Sequence, residues 1–352
     1  MSYRFSHRLY TLPKKRALGV SLGTHTLRAI ECTARANHLE FSRTYEKKYD
    51  ETFLGEHIFR GIGTAFRELF RGGRHKDVVV SLPESFLYTT LLRIPQAPEK
   101  DIHTLIELHL ENHIPYVKSS FQTIYEVISR AEDSILARVV VYPKTLIEEL
   151  RRTIANAGGR MLSTEGELSS IARATIRTED RTLKLLVNVT ATATEIGVSA
   201  FGSIVHTKTI PEGGEHILEL IGEKIRTTPR ELKEMLATTG FSSTDAAMYQ
   251  ALLAAAAPIA DGIESVLLHF HAHAREIGLP PMSCGEIILC GDSSYVAGLP
   301  EYLSRAIGIT TAFANPWANA HLEDGVVPAL MLRDALAYAD TIGAALRDLK
   351  AD

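Results

Sequence analysis

The chain has 352 residues, of which 45% are hydrophobic and 23% charged, and this composition excludes wholesale disorder. Its 38 lysines and arginines against 42 aspartates and glutamates give a net charge of −4, which argues against a dedicated nucleic-acid binder. Three cysteines without a CxxC pair suit a reducing compartment, and the length is sufficient for two lobes with sizeable cores.

No apolar stretch reaches the roughly 18 residues that a transmembrane helix needs. The longest, residues 251–263, is interrupted by Pro258 and Asp261. The N-terminal arm, residues 4–16, is basic but is followed by no apolar signal-peptide core. We therefore expect a cytoplasmic chain without its own membrane span, and a solvated arm in preference to one that contacts a membrane surface.

The first half of the chain predicts a strand-rich start, a helix and a small α+β block. Alternating and continuous apolar runs predict strands, and apolar residues at helical spacing predict helices. The predicted elements, in chain order, are strands 18–22, 27–32 and 40–45, a helix over 54–70, strands 78–82 and 86–94, a helix over 98–114, strands 123–128 and 135–142, and a helix over 144–157.

The second half repeats that order of elements. Three strands come first, a helical region follows, and a short buried strand precedes the last helices. The predicted elements are strands 183–189, 195–201 and 204–209, helices between 216 and 277, a strand at 286–290, a helix over 295–306 and a long closing helix over 329–346. The repeat concerns element order only, because no residue-level repeat accompanies it.

Each half of the chain has one hairpin turn near its start, and these turns are rich in glycine and threonine. One lies within residues 19–26, around Gly23-Thr24-His25, and the other lies within residues 187–194. Such turns can present backbone N–H groups and hydroxyls to phosphate oxygens, because no bulky side chain blocks the approach. Two facing turns would hold a nucleotide between two lobes, although each turn alone is more often purely structural.

Several short motifs in this order resemble the PilM family of type IV pilus assembly proteins, actin-like relatives of the cell-division protein FtsA. They include a serine–proline and an aliphatic–proline pair, a Glu-x-x-Ile-Pro-Tyr helix end, a glutamate–arginine helix and an Ile-Pro-x-Gly-Gly turn. The matching segments are 19–26, 80–83, 91–95, 111–116, 167–174, 210–214, 291, 298–299, 315–317 and 342–347.

The resemblance implies an α/β, two-lobed, actin-like (ribonuclease H-like) fold with an α+β insertion in the first lobe. We expect the first lobe to comprise 1–77, 144–180 and 325–352, the insertion 78–143, and the second lobe 181–324. It also implies a nucleotide site. Its expected members are Gly19, Ser21, Gly23, Thr24, Thr26, Asn188, Thr190, Gly213, Gly214, Lys233 and Gly291.

Departures from the family pattern indicate that this site is degenerate. Ser21 and Asn188 stand where an actin-like ATPase needs carboxylates for Mg²⁺ and for the attacking water. Thr190 and Asp292 stand where glycines are expected, and Arg230 stands in place of a ribose-binding glutamate. We expect ATP and Mg²⁺ binding to be weakened or lost, with no catalytic residues and no resident metal.

By the same resemblance, we expect the first lobe and the insertion to hold the N-terminal peptide of PilN, a bitopic inner-membrane pilus protein that would bring the chain to the membrane. Other pilus assembly proteins are further expected partners, and self-association stays open. An apolar peptide in a groove would use burial and backbone pairing. The residues expected to border this groove are Val80, Pro83, Phe86, Leu92, Ile94, Pro95, Ile114, Pro115 and Tyr116, unless they form only the core of the subdomain.

Two alternative functions remain beside the scaffold, and two candidate metal sites need to be considered. A divergent ATPase or small-molecule kinase of the same fold is disfavoured by Ser21 and Asn188, and an FtsA-like polymerising protein by the lack of a terminal amphipathic helix. Histidines at i,i+4 spacing, His109 with His113 and His269 with His273, could ligate zinc. Neither pair has an evident third ligand, so we expect no metal there.

Overall fold

The computed structural model describes residues 16–35, 38–49, 58–71, 76–113, 119–225, 227–322, 330–347 and 349. The chain divides into two compact units, a first unit of residues 1–166 with 345–352 and a second unit of residues 167–344. Each unit is built around a five-stranded mixed sheet. The two-lobed α/β architecture predicted from the sequence is therefore confirmed.

The first unit contains two sheets and three helices among its described residues. In chain order its elements are β1 (Arg16–Leu22), β2 (Thr26–Ala34), β3 (Leu39–Lys48), α1 (Ile58–Arg71), β4 (Asp77–Leu82), β5 (Tyr88–Pro95), α2 (Glu99–His113), β6 (Phe121–Arg130), β7 (Ser134–Pro143), α3 (Lys144–Asn156) and β8 (Arg160–Gly166).

The larger sheet of this unit has the strand order β3-β2-β1-β4-β8. β1, β2 and β3 form an antiparallel meander, and β4 and β8 extend the sheet parallel to β1. Alternate residues of β1, including Val20 and Leu22, pack with Phe66 of α1 and Leu150 of α3. This alternation follows from the two-residue period of a strand, and it places α1 and α3 on one face.

The smaller sheet, β5-β7-β6, forms the inserted subdomain together with α2. Ile102, Ile106 and Leu110 recur every four residues along α2 and are fully buried against Leu92 and Ile94 of β5. A helix with one apolar stripe over an antiparallel sheet is a self-contained small core.

Strand β4 corrects one detail of the predicted insertion. Residues 78–82 were expected inside the insertion, but β4 pairs with β1 and β8 in the larger sheet. Its run of buried residues suits a parallel strand that is covered on both faces. The sheet of the inserted subdomain therefore begins at β5.

The second unit repeats the topology of the larger sheet. Its elements are α4 (Glu167–Thr175), β9 (Leu183–Val189), β10 (Thr194–Ala200), β11 (Ser203–Ile210), α5 (Gly214–Gly222), α6 (Pro229–Thr238), α7 (Ala246–Glu276), β12 (Cys284–Cys290), α8 (Leu299–Ile307), β13 (Thr311–Phe313), α9 (Leu332–Leu336) and α10 (Ala339–Leu346). The strand order is β11-β10-β9-β12-β13, again a meander extended by two parallel strands.

Helices cover this sheet as well. Leu168 and Ile171 of α4 share a core with Leu186 of β9 and Leu336 of α9. On α7, Gly262 lies against Ile196 and Ile210 of the sheet. Among the described helices, α7 alone is long and apolar enough to cross a bilayer by length and composition, but half of its most apolar stretch is buried in the protein. That packing is typical of a core helix.

The predicted closing helix is interrupted. The structure has α9 and α10 with a break at residues 337–338 instead of one helix over 329–346. The carbonyl of Leu336 accepts a hydrogen bond from the Gly291 N–H at 3.2 Å. A tertiary contact thus occupies a carbonyl that a continuous helix would use for its own i+4 bond.

Candidate functional site

The first hairpin turn links β1 and β2 at Leu22 and Leu27. The Gly23 N–H donates to the Thr26 carbonyl at 2.8 Å, which closes the turn around Thr24. The Tyr49 hydroxyl donates to the Gly23 carbonyl, and the Tyr49 N–H donates to the His25 carbonyl at 2.9 Å. The turn is therefore held by a residue that lies just after β3.

Ser21 lies near the end of β1 and is buried. It pairs in register with Ser81 of β4 and with Arg28 of β2, while Gly19 pairs with Val79 and Ile30. Ser81 is fully buried, and its hydroxyl has no hydrogen-bond partner among the described residues. The adjacent ends of β1 and β4 thus contribute two neutral hydroxyls.

The second hairpin turn, between β9 and β10, is closed by its own residues. The Thr190 hydroxyl donates to the Ala193 carbonyl at 2.9 Å and accepts from the Ala193 N–H at 3.2 Å. The Thr190 N–H also donates to the Ala193 carbonyl at 2.9 Å. The Thr190 side chain is therefore engaged inside the turn.

The start of α5 is bonded to this turn. The N–H groups of Gly214 and Glu215 donate to the carbonyls of Thr190 and Ala191, each at 2.8 Å. Free N–H groups at a helix start are the usual donors to an anion. Here two of them are satisfied by the backbone of the protein.

Three glycines allow these segments to approach closely. A Cβ on Gly213 would lie 2.4 Å from the Ala193 nitrogen, and one on Gly214 would lie 2.1 Å from the Ser293 hydroxyl. Gly291 has a φ of +101°, and a Cβ there would lie 2.3 Å from the Val189 carbonyl oxygen. The structure thus explains these glycines by contacts of the chain with itself.

Asn188 occupies the centre of a buried polar cluster. Its Nδ2 donates to Glu195 Oε2 at 3.0 Å and to Glu167 Oε2 at 3.3 Å. All three residues are buried, with Asn188 only 4% exposed. An amide NH₂ has two hydrogens, so both are used on the two carboxylates.

Lys233, a predicted nucleotide contact, lies on the surface, as do Arg230 and Asp292, whereas Thr24 and Thr26 are half-buried. Lys233 and Arg230 are exposed on α6, whose start is capped by Thr228 and Glu231. The pKa of Glu231 is lowered mainly by the hydrogen bond from the Thr227 hydroxyl. Asp292 is exposed and accepts from the Ser293 hydroxyl at 3.1 Å.

The residues predicted to border a partner groove differ in how deeply they are buried. Val80 is buried in the core of the larger sheet, and Leu92 and Ile94 are buried in the core of the inserted subdomain. Pro83 is buried, Phe86 is half-buried and Pro95 is exposed. Ile114, Pro115 and Tyr116 lie outside the described residues, as does the N-terminal arm up to residue 15.

Sequence reasoning missed the carboxylates around Asn188 and two exposed apolar side chains. Glu195 and Glu167 come together only through the fold, and the neighbouring Glu165 lies on β8, where it pairs with Arg347 at 2.8 Å. Leu108 on α2 and Tyr88 on β5 are 56% and 38% exposed. The sequence signal for Leu108 was that it does not belong to the apolar stripe of α2.

The histidine pairs offer no metal site in the part of the chain that the structure describes, where no group of three or more His, Cys, Asp or Glu residues could hold a metal ion. His269 Nδ1 contacts the Ser265 carbonyl at 2.6 Å, and His109 Nδ1 contacts the Leu105 carbonyl at 2.9 Å. The side chain of His113 lies outside the described residues.

Solved structures with the same arrangement define the class of protein. A chain in a PilM–PilN type IV pilus biogenesis complex aligns with a TM-score of 0.73 at 16% identity, over 95% of this chain and 98% of that one. MreB5 of Spiroplasma citri bound to ADP aligns with a TM-score of 0.51 at 12% identity, over 88% and 94%. EutJ of Carboxydothermus hydrogenoformans aligns at 0.50 and 14% identity, over 95% and 90%. The fold is actin-like.

The family follows from the sequence profile of type IV pilus assembly protein PilM, which matches residues 19–349. The chain belongs to this family. A sequence search of curated proteins found no match.

Proposed function

We propose that this protein is a cytoplasmic, actin-like scaffold of type IV pilus assembly that binds the N-terminal peptide of a PilN-like inner-membrane protein. The observation that carries the proposal is the family match over residues 19–349. The similarity to a chain from a PilM–PilN complex over 95% of this chain supports a partner of that kind. Attachment to the inner membrane would then come through the partner.

The inserted subdomain is the proposed binding surface. Leu108 is exposed on α2, and Tyr88 is exposed at the start of β5, close in sequence to the half-buried Phe86. Apolar side chains left in water are the usual anchors for an apolar peptide. The buried Leu92 and Ile94 would support this surface from beneath without touching the peptide.

A titration with the N-terminal peptide of a PilN-like protein from the same organism tests the proposal. We expect Leu108→Asp to weaken binding at least about 10-fold, which corresponds to roughly 1.4 kcal/mol. Leu268→Asp is the matched control, because Leu268 is 70% exposed on α7 of the second unit. Equal loss in both variants, or no binding by the natural chain, would contradict the proposed surface.

We also propose that the nucleotide site is degenerate. Mg²⁺ requires oxygen ligands, and Asn188 directs N–H groups at its neighbouring carboxylates. Ser21 contributes a neutral hydroxyl, and two N–H groups at the start of α5 are satisfied by the second turn. Judged separately, neither the Ser21 region of the first unit nor the Asn188 region of the second fits a bound Mg²⁺, so we do not expect ATP hydrolysis.

A divergent ATPase or kinase is the alternative, and the retained turn glycines together with the similarity to ADP-bound MreB5 favour it. An ATP-turnover assay with Mg²⁺ separates the two. We expect no turnover above background. Clear turnover that is abolished by replacing Gly23 would overturn the degenerate site and leave the peptide titration to be judged separately.

A further inference from the structure

Two buried carboxylates lie side by side in the second unit with one neutral group between them. Glu167 begins α4 and Glu195 lies on β10, and both accept hydrogen bonds from Asn188 at the end of β9. Two ionised carboxylates that share one amide group in a buried site repel each other. The amide therefore supplies the donors that hold these two carboxylates together.

The oxygen of the Asn188 amide lies on the side of Gly291. Its Oδ1 lies close to Gly291, where a Cβ would come within 2.7 Å of that oxygen. Gly291 begins the turn after β12 and donates its N–H to the Leu336 carbonyl. The amide oxygen thus lies against a close-packed turn, and its two hydrogens lie toward the carboxylates.

Further negative charge surrounds this cluster. Burial raises the pKa of the Cys290 thiol well above its ordinary value, and the nearby charges of Asp340, Glu195 and Glu167 raise it further. Cys290 pairs in register with Asn188 on the adjacent strand. No described group of three or more His, Cys, Asp or Glu residues forms a metal site here or elsewhere.

We propose that Asn188 is a positioning residue that takes the structural place of a divalent cation, so that the second unit keeps its hairpin and Gly291 turn assembled without one. A carboxylate at this position would complete a set of three oxygen-bearing acids, which is the ligand chemistry that Mg²⁺ and Ca²⁺ prefer. The inference deepens the proposed degenerate site and rests on it, because it names the residue that makes the site independent of a cation.

The substitution Asn188→Asp tests this role in the full chain. It removes both donors and places a third acid beside two others, so we expect the melting temperature of the second unit to fall by roughly 10 °C in EDTA. Millimolar Mg²⁺ or Ca²⁺ should restore most of that loss, because a ligand that binds only the folded state stabilises it. The natural chain should show no comparable response to either ion.

Asn319→Asp is the matched control. The Asn319 Nδ2 also donates to two acceptors in the second unit, but both are backbone carbonyls, of Arg173 and Ile176. This variant also loses two N–H donors, but the new carboxylate does not lie between two other carboxylates. We expect it to lose stability in EDTA and to gain nothing from Mg²⁺ or Ca²⁺.

A second variant keeps the proposal testable if Asn188→Asp does not fold. The double variant Asn188→Asp with Glu195→Gln again has one amide and two acids, but the amide is now at position 195 and the new acid at position 188. We expect it to be more stable than Asn188→Asp in the absence of a cation. Full stability of Asn188→Asp in EDTA, or a double variant no more stable than the single one, would overturn the proposal. Binding of the PilN-like peptide is measured on the inserted subdomain in parallel, so its failure would count against the scaffold alone.

Discussion

The two units share one strand order but stabilise their hairpin turns differently. In the first unit, Tyr49 donates to the carbonyl of Gly23 from a residue just after β3. In the second unit, Thr190 and Ala193 close the turn, and the start of α5 donates two N–H groups to it. The first turn combines backbone bonds with one hydroxyl that comes from outside the turn, and the second combines its own threonine hydroxyl with backbone bonds from a helix.

The buried polar residues next to the two turns also differ in how completely they are hydrogen-bonded. Beside the first turn, Ser81 is buried with a hydroxyl that has no partner among the described residues. Behind the second, Asn188 satisfies two carboxylates at once. Since buried polar groups are costly when unpaired, the second unit has the more completely satisfied interior at this position. A shared topology therefore does not imply a shared way of stabilising a site.

The largest expected effect concerns the turn glycines. Gly213→Ala should lower the stability of the second unit by about 3 kcal/mol, because its Cβ would meet backbone atoms 2.4 to 2.7 Å away. The single tryptophan, Trp317, lies in the second unit, so its fluorescence during denaturation measures this loss.

Gly23→Ala is the corresponding change in the first unit. Its Cβ would meet only the Thr26 carbonyl oxygen at 3.3 Å, so we expect a cost below about 1 kcal/mol, measured by hydrogen exchange of β1 and β2. Similar losses at both glycines would show that the two turns are equally constrained and would remove the contrast between them.

Acid should destabilise the second unit through His206. Burial, together with the nearby charges of His273, His269 and Lys208, lowers the pKa of His206 to about 4. The unfolded chain binds this proton near pH 6.5, so the stability that the neutral imidazole provides is present above pH 6.5 and is lost as the pH falls towards 4. We expect a loss of about 2 kcal/mol, after allowance for partial exposure.

The measurement is denaturation followed by Trp317 fluorescence at pH 7 and at pH 4.5. His206→Gln should flatten the dependence between these values, while His38→Gln, in the first unit, should leave it unchanged. If the stability of the His206→Gln variant fell with pH as much as that of the natural chain, His206 would be excluded as the cause of the acid sensitivity.

Tyr49→Phe should have a smaller effect that is confined to the first turn. The change removes the hydrogen bond to the Gly23 carbonyl and retains the buried ring, so we expect a cost of about 1 kcal/mol. Faster amide exchange at Gly23, with unchanged exchange in β9 and β10, is the expected signature. Tyr45→Phe, in which the lost bond goes to α1, is the control.

Thr190→Val should have the smallest effect. The turn retains the bond from the Thr190 N–H to the Ala193 carbonyl and the two bonds from α5. We expect about 0.5 kcal/mol from the lost hydroxyl contacts and almost no loss in Thr190→Ser. A loss as large as that of Tyr49→Phe would mean that the second turn also depends on one side chain.

Much of the fold could be predicted because strands and helices with one buried face have clear periodic patterns. Strand β8 could not be predicted, since Ser163, Thr164 and Glu165 have a polar sequence that becomes a strand only by pairing with β4. The break before α10 was also hidden, because local helix propensity carries no information about the bond between Gly291 and Leu336.

At the candidate site, the turns and the neutral Ser21 and Asn188 could be located from the sequence. The partners of Asn188 could not, because Glu167 and Glu195 belong to a helix and to another strand, and only the tertiary fold brings them within hydrogen-bond distance. The sequence also could not show whether Leu92 and Ile94 border a peptide groove, since an apolar strand residue can lie either in a core or beside a groove.

The ion pair between Arg347 and Glu165 has a consequence for how the protein is made. Arg347 donates to the Glu165 carboxylate at 2.8 Å and to the Thr164 carbonyl at 3.4 Å, so the residues after α10 belong to the first unit. During synthesis, β8 can pair with β4 at once, but the Glu165 carboxylate must wait until the whole second unit has been made before Arg347 is available. The first unit is therefore begun first and completed last, and a chain that stops before Ala345 would leave the Glu165 carboxylate without this partner.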